Sequence, residues 1–159
     1  MVQKQENEFQ KASTAALRLL SLCDRSRKDL QQKLSKKGYS SEIVTRVILK
    51  LESMGYLDDS RYALRYAADA IRIKNRGPHS IKYELQQKGI TREIIEETIS
   101  KVFDDHDEMT VARRALIKKY PARPPRTEIR KLSDYLRRKG FSYDIIMAII
   151  KESWKEDDI

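Results

Sequence analysis

The chain is poor in the residues that make tight turns, disulfides and membrane spans. It has 5 glycines, 4 prolines and 1 cysteine in 159 residues. Few glycines and prolines disfavour folds built from many hairpins, and a single cysteine excludes an internal disulfide. The longest apolar run, residues 145–150, is far below the roughly 20 residues that span a bilayer. Because helix-forming residues are abundant, these shortages predict an all-α protein that does not enter the membrane.

The N-terminal segment and the cysteine support two further predictions. Residues 1–10 are polar and lack the apolar centre of a secretory signal, so we expect a cytoplasmic protein. Cys23 closely follows Leu19, Leu20 and Leu22, and a free cysteine in such surroundings usually behaves as a small hydrophobic residue. We therefore predict that the Cys23 thiol is buried.

Groups suited to catalysis or metal binding are scarce. Only two histidines, His79 and His106, are present, and there is no HExxH, GxSxG or Walker sequence. The acidic run at residues 104–108 has consecutive potential ligands, which cannot all face one ion, so we interpret it as a solvated linker. We expect no enzymatic activity, no cofactor and no metal.

A repeat of constant length organises the chain. The segment at residues 30–44 recurs at 81–95 and again at 132–146, and its glycine falls at positions 38, 89 and 140, a constant spacing of 51 residues. In each copy two apolar residues one helical turn apart precede the glycine, which suits a left-handed helix end. Ser40, Thr91 and Ser142 then lie where an N-cap begins the next helix.

A further apolar stripe precedes each copy, so we predict three helices per repeat. The expected domains are residues 8–56, 57–105 and 106–156. Repeats that hide only part of their apolar faces gain by stacking, and we therefore predict an elongated, curved solenoid. The expected helices are 8–22, 27–37, 41–54, 59–74, 78–88, 92–104, 108–119, 127–139 and 143–155.

Two motifs between these helices look structural rather than catalytic. In the first, Gly55, Tyr56, Leu57, Asp58, Asp59 and Arg61 join repeats 1 and 2. We expect Gly55 to end one helix and Asp58 to cap the next, with Asp59 in its first turn, where a carboxylate suits the helix dipole. In the second, Gly77 precedes Pro78, which fits the first position of a helix.

Positive charge concentrates in and around the middle helix of each repeat. The whole chain has 33 Lys and Arg against 24 Asp and Glu, a net charge of +9, so it should attract polyanions or acidic protein surfaces. The third helices carry acids such as Glu93, Glu96 and Glu97, which argues against their reading a DNA groove. We predict a basic strip for partner or nucleic-acid binding made of Arg27, Lys28, Lys33, Lys36, Lys37, Arg72, Lys74, Arg76, Lys82, Lys88, Arg130, Lys131, Arg137, Arg138 and Lys139.

The motifs around Gly55–Ala63 and Arg76–Ile90, with the opening block Arg25–Leu34, resemble the RecX family, and the resemblance extends over about residues 12–150. It implies tandem three-helix repeats and a non-enzymatic protein that binds the RecA recombinase filament. The family limits strand exchange, ATP hydrolysis and coprotease action by RecA. We also expect the protein to be a monomer. A module that binds single- or double-stranded DNA without a recombinase, and a scaffold for another acidic protein, remain open alternatives.

Overall fold

The computed structural model describes residues 1–154, and all regular structure in that range is helical. The α-helices are α1 (Val2–Leu22), α2 (Arg27–Lys36), α3 (Ser41–Ser53), α4 (Asp59–Lys74), α5 (Pro78–Gln87), α6 (Arg92–Asp105), α7 (Glu108–Lys119), α8 (Ile129–Lys139) and α9 (Tyr143–Trp154). A short 3₁₀ turn, Arg126–Glu128, precedes α8. The predicted all-α class is confirmed for the described residues. None of these helices is long and apolar enough to cross a membrane.

The helices pack in threes along the chain. Helix α1 packs on α2 and α3, α4 on α5 and α6, and α7 on α8 and α9. Each middle helix buries two leucine or isoleucine side chains one turn apart, because residues four apart share a helix face. These pairs, all 0% exposed, are Leu30 and Leu34, Ile81 and Leu85, and Leu132 and Leu136. The predicted three tandem three-helix repeats are confirmed.

Glycine ends each middle helix in the left-handed conformation that the repeat predicts. The φ angles of Gly38, Gly89 and Gly140 are 94°, 79° and 93°. The third helix of each repeat starts shortly afterwards, and in repeat 1 the Ser40 hydroxyl accepts a hydrogen bond from the Ile43 N–H at 3.3 Å. Thr91 occupies the corresponding N-cap position without a side-chain hydrogen bond, so the backbone alone begins α6 there.

The buried residues form two separate cores. One lies inside repeat 1 and includes Leu57 from the following linker, while the other is shared by repeats 2 and 3. The molecule exposes 10562 Å², against roughly 8,300 Å² for a compact protein of its mass. This excess supports the predicted elongation, and the curvature of the row stays a prediction.

Two local predictions were wrong. Helix α1 begins at Val2 rather than near residue 8. The prediction missed its first turns because they consist of helix-forming polar residues and have no apolar stripe before Phe9. Cys23 is exposed, not buried. It would continue the stripe of Phe9, Ala12 and Ala16, but α1 ends at Leu22 and Cys23 takes an extended conformation with φ −164° and ψ 159°, which turns it away from the core.

Candidate functional site

The three middle helices, α2, α5 and α8, meet end to end. Where repeats 2 and 3 touch, which we call the second joint, the start of α5 meets the end of α8. The Gly77 N–H donates to the Lys139 carbonyl at 2.8 Å, and the His79 N–H donates to the Gly140 carbonyl at 2.9 Å. These are groups that helix ends leave without internal partners. The second joint satisfies them with backbone bonds and brings opposite ends of two helix dipoles together.

Close approach at the second joint requires glycine on both sides. A Cβ atom on Gly77 would lie 2.5 Å from the Gly140 carbonyl carbon and oxygen, and 2.6 Å from the Phe141 nitrogen. A Cβ atom on Gly140 would lie 2.5 Å from Ser80 Oγ. The φ of Gly77 is −85°, a value open to any residue, so the glycine at position 77 serves packing rather than backbone conformation.

We call the contact between repeats 1 and 2 the first joint. Its residues stand 51 positions before those of the second joint, but the atoms in contact are different. Ser26, the N-cap of α2, donates its hydroxyl to the Lys88 carbonyl at 2.8 Å. The stem of Lys28 lies against Gly89, where an added Cβ would come within 2.6 Å of the Lys28 Cβ. The Arg27 N–H donates to Asp59 Oδ1 at 2.8 Å. Side-chain contacts therefore make the first joint, whereas the second joint also has hydrogen bonds directly between backbone atoms.

An ion pair also crosses the first joint. Arg65 of α4 lies 2.5 Å from Asp24, and their side chains are 67% and 49% exposed. Nearby, burial raises the pKa of the Tyr62 hydroxyl, and the charges of Asp29 and Asp24 raise it further. Polar and charged side chains thus line the boundary between the core of repeat 1 and the core of repeats 2 and 3.

Helix α8 has a strongly basic exposed face. Its outer side carries Arg130, Lys131, Arg137 and Arg138, opposite the buried leucines. Two of these are neutralised locally, since Lys131 lies 3.3 Å from Glu128 and Arg137 pairs with Asp134. Within residues 1–154, Arg130 and Arg138 make no ion pair.

In two partly buried residues of the predicted strip, Arg76 and Lys139, the charged group is directed toward the rest of the protein. Arg76 Nε lies 3.3 Å from Glu84 Oε1, and the other oxygen of Glu84 accepts the Tyr66 hydroxyl at 2.6 Å. Lys139 Nζ donates to the Lys74 carbonyl at 2.8 Å. Burial lowers the pKa of Lys139, and the positive charges of Arg76 and Lys118 lower it further. Arg76 and Lys139 therefore stabilise the fold around the second joint.

The remaining strip residues differ in how far their charge is already compensated. Arg27 pairs with Glu52 at 3.2 Å, and Arg72 pairs with Asp69 at 3.0 Å. Over the part of the chain that the structure describes, the strip residues without an acidic partner are Lys28, Lys33, Lys36, Lys37, Lys74, Lys82, Lys88, Arg130 and Arg138. These side chains supply the charge that a polyanionic partner would meet.

The two basic residues of α6 are paired with acids of the same helix. In α6, Arg92 lies 2.9 Å from Glu96, and Lys101 lies 2.7 Å from Glu97. Such pairs leave this surface without the excess positive charge that phosphate binding needs. The structure therefore separates a basic row of middle helices from α6, in which acidic residues outnumber the basic ones.

The linker motif between repeats 1 and 2 has structural contacts at nearly every position. Gly55 has φ 76°, and Leu57 is 3% exposed in the core of repeat 1. Asp58 accepts a hydrogen bond from the Arg61 N–H at 3.0 Å, and Arg61 Nη2 donates to the Gly55 carbonyl at 3.0 Å. Tyr56 is 54% exposed. Asp58 therefore caps α4 as the sequence predicts.

The acidic run at residues 104–108 caps helices as well as linking them. Asp107 accepts hydrogen bonds from the Thr110 N–H at 2.9 Å and the Thr110 hydroxyl at 2.8 Å, and these bonds lower the pKa of its carboxyl group. Glu108 accepts the Ser142 N–H at 2.8 Å. Describing the run only as a solvated linker therefore missed these two roles.

Sequence reasoning also missed the end of α4 and the polar contacts of the first joint. Asn75 ends α4 with φ 49°, and its N–H bonds to the carbonyls of Ala70 and Ile71. Asparagine tolerates this conformation better than most residues, so its place before Arg-Gly-Pro was an available signal. The pairing of Asp24 with Arg65 had no comparable signal, because it joins two repeats.

Known proteins share both the sequence and the arrangement of these helices. The chain matches the first, second and third three-helix domains of RecX over residues 12–51, 58–99 and 106–150. It is 34% identical over 149 residues to the regulatory protein RecX of Pelodictyon phaeoclathratiforme, covering 92% of this chain and 91% of the relative. With the regulatory protein RecX of Clostridium botulinum (strain Alaska E43 / Type E3) it shares 31% identity over 147 residues, or 90% of this chain and 68% of the relative.

Solved structures support the same assignment. The crystal structure of RecX from Lactobacillus salivarius matches with a TM-score of 0.78 at 30% identity, covering 93% of this chain and 97% of that one. A second RecX crystal structure matches with a TM-score of 0.79 at 26% identity, covering 97% of this chain and 74% of the other. Since all three helical domains and the fold agree, the chain belongs to the RecX family of regulatory proteins.

Proposed function

We propose that this protein regulates homologous recombination and DNA repair by binding RecA nucleoprotein filaments and inhibiting RecA. It does so as a cytoplasmic monomer without catalysis of its own. The observation that carries the proposal is the match of all three repeats to RecX domains, in order and over nearly the whole chain. The expected domains, 8–56, 57–105 and 106–156, enclose these matches and belong to the same proposal.

The row of middle helices supports this function physically. A filament repeats the same protein and DNA surface along its axis, and the row presents unpaired cations from each repeat, such as Lys36, Lys82 and Arg138. Several weak contacts made at once add through effective concentration. The protein should therefore bind an assembled filament more tightly than a single RecA subunit.

The direct test is a titration of RecA-driven ATP hydrolysis on single-stranded DNA. We expect the rate to fall at less than one molecule of this protein per RecA subunit, because one bound molecule can affect many subunits of a growing filament. The titration is run on preformed and on nascent filaments, which separates binding along a filament from blocking its growth. Unchanged hydrolysis at equimolar protein would refute the proposal.

DNA binding without a recombinase is the second candidate, and the basic row favours it independently of the family. It predicts a different result in the same titration. Inhibition would then need enough protein to cover the DNA, and would weaken steeply between about 50 and 200 mM salt. Inhibition well below saturation of the DNA, persisting in this salt range, would favour the filament.

Matched charge variants test the surface. Replacing Arg130 and Arg138 with glutamine removes two cations without an acidic partner from α8, while replacing Lys50 and Lys151 with glutamine removes the same charge from exposed positions of third helices. We expect only the α8 variant to bind filaments more weakly and with a shallower salt dependence, by about 0.9 in log–log slope for each phosphate that is no longer neutralised. Equal effects of the two variants would argue against the strip.

A further inference from the structure

Tyr83 is an exposed aromatic residue in the middle of the basic row. Its side chain is 64% exposed. The other large hydrophobic side chains with high exposure among residues 1–154 lie outside α2, α5 and α8. Because the fold uses Tyr83 neither in a core nor in a joint, binding to a partner is the role that would explain its apolar ring on this helix.

The packing of α5 fixes the direction of Tyr83. Ile81 and Leu85 are both 0% exposed and hold one side of α5 in the core. Tyr83 lies two residues from each of them, and at about 100° per residue it projects to nearly the opposite side. The ring therefore faces solvent from the centre of the outer face of α5.

The outer face around Tyr83 contains no acidic residue. Lys82 precedes Tyr83 directly, and the helical spacing of three and four residues adds His79, Ser80, Gln86 and Gln87 as neighbours. Glu84 is the single acid in α5, and it is directed to Tyr66 and Arg76 at the side of the helix. An anionic strand passing over Tyr83 would meet hydrogen-bond donors and positive charge without local repulsion.

The joints bring basic residues of α2 and α8 to the two ends of α5. Helix α5 has 10 residues, a length of about 15 Å, with Tyr83 near its middle. At one end Lys28 packs on Gly89, next to Lys88, and at the other the backbone carbonyl of Arg138 accepts the Ser80 hydroxyl at 3.3 Å. Tyr83 therefore lies between two groups of basic residues that can hold a phosphate backbone.

We propose that Tyr83 is a stacking platform for an unpaired base, and that the strip binds single-stranded nucleic acid with its backbone along the middle helices. The inference rests on the proposed function, because it adds a contact for the bases to the basic strip that is proposed to bind the filament. Stacking on an aromatic ring needs a base whose face is open, so a duplex gains nothing from Tyr83.

The test compares two fluorescently labelled oligonucleotides of equal length, about 16 nucleotides, in anisotropy titrations. One is oligothymidylate, and the other is an abasic strand with the same phosphates and no bases. The native protein should bind oligothymidylate at least about 5-fold more tightly, since a base stacked on an aromatic ring contributes about 1–3 kcal/mol. Tyr83→Ala should lose this preference and keep its salt dependence, whereas Tyr83→Phe should retain the preference.

Two further measurements separate stacking from a general change in the surface. Tyr143→Ala removes another exposed tyrosine, 74% exposed and on α9, and should leave both affinities unchanged. Tyr83→Trp adds an exposed indole to a chain whose natural tryptophan, Trp154, is 7% exposed. Its added emission should be quenched by oligothymidylate and unaffected by the abasic strand.

The outcomes distinguish failure of the stacking role from failure of the wider function. Equal affinity of the native protein for the two strands, or a base preference that survives in Tyr83→Ala, would overturn the stacking role. If the native protein inhibits RecA in spite of such a result, the stacking inference alone fails. If the native protein binds neither strand at low salt, both the stacking role of Tyr83 and nucleic-acid binding by the strip are refuted. Loss of base preference confined to Tyr83→Ala supports the inference.

Discussion

Replacing Gly77 with alanine should destabilise the protein although the backbone of residue 77 accepts alanine without strain. Its φ of −85° is ordinary, and at such a site a change from glycine to alanine usually stabilises by about 0.4–1 kcal/mol through the unfolded chain. Here the new Cβ would lie 2.5 Å from backbone atoms of Gly140. Backbone cannot rotate away as a side chain can, so the ends of α5 and α8 must separate.

The loss can be sized from the bonds that separation breaks. The two hydrogen bonds of the second joint, from Gly77 N–H and His79 N–H, have lengths of 2.8 and 2.9 Å. Each contributes about 0.5–1.5 kcal/mol net, or about 1–3 kcal/mol for both. Subtracting a gain of about 0.7 kcal/mol for alanine from a central loss of about 2 kcal/mol predicts a net loss of about 1.3 kcal/mol, which corresponds to about 3–5 °C in Tm for a protein of this size.

A second pair of variants isolates the same contact at constant backbone strain. Gly38 and Gly140 have nearly equal φ angles, 94° and 93°, so alanine costs both positions about 1–2 kcal/mol. A Cβ on Gly38 meets nothing within 4 Å, while one on Gly140 meets Ser80. Gly140→Ala should therefore be the more destabilising of the two.

Urea unfolding followed by circular dichroism measures these differences, because a change in midpoint at constant slope reports stability. We expect a lower midpoint for Gly77→Ala than for the native protein, and a lower midpoint for Gly140→Ala than for Gly38→Ala. A neutral Gly77→Ala, with equal losses for Gly38→Ala and Gly140→Ala, would show that the second joint is not closely packed.

Three other predictions follow from single contacts. Tyr66→Phe should cost about 1 kcal/mol, because it removes the hydrogen bond to Glu84. Burial raises the pKa of Tyr66 above its ordinary value of 10.0, so above that pH the unfolded chain loses this proton first and the free energy of unfolding should fall. Titrations of unfolding against pH should show a shallower fall in Tyr66→Phe. Arg65→Gln, or added salt, should weaken the first joint, seen as faster hydrogen exchange in α1–α3 with α4–α9 unchanged; uniform exchange would contradict this. Thiol reagents should label Cys23 in the native protein without loss of helicity, and protection would contradict its exposure.

The sequence predicted most of what is local. Each glycine of the repeat ends a helix and each of Leu30, Ile81 and Leu132 is buried, because a helix stripe and its left-handed end are set within about ten residues of chain. The same locality explains why Asp58 was identified as a cap. Apart from the start of α1, helix bounds in the structure lie within two residues of the predicted ones; the predicted end of the last helix, residue 155, lies outside the described residues.

Contacts between repeats were not predictable in the same way. That Gly77 touches Gly140, or that Arg65 pairs with Asp24, depends on how two repeats are placed, which periodicity does not specify. The inward orientation of Lys139 has the same origin, because its ammonium group donates to the Lys74 carbonyl of repeat 2, whereas Arg76 turns toward Glu84 of its own repeat. A strip drawn from charge and repeat position therefore included residues that the packing turns toward the protein.

The two joints show how equivalent positions of one repeat produce different connections. Position 77 is glycine and lets backbone atoms of α5 and α8 touch, whereas the position 51 residues earlier is Ser26, whose hydroxyl lies between α2 and Lys88. Among the described residues, no backbone hydrogen bond joins α2 to α5 in the way that Gly77 and His79 join α5 to α8. The same difference is seen in the cores, which are continuous in repeats 2 and 3 and separate in repeat 1. Because ion pairs weaken with salt and buried apolar contacts do not, added salt should weaken the first joint more than the second.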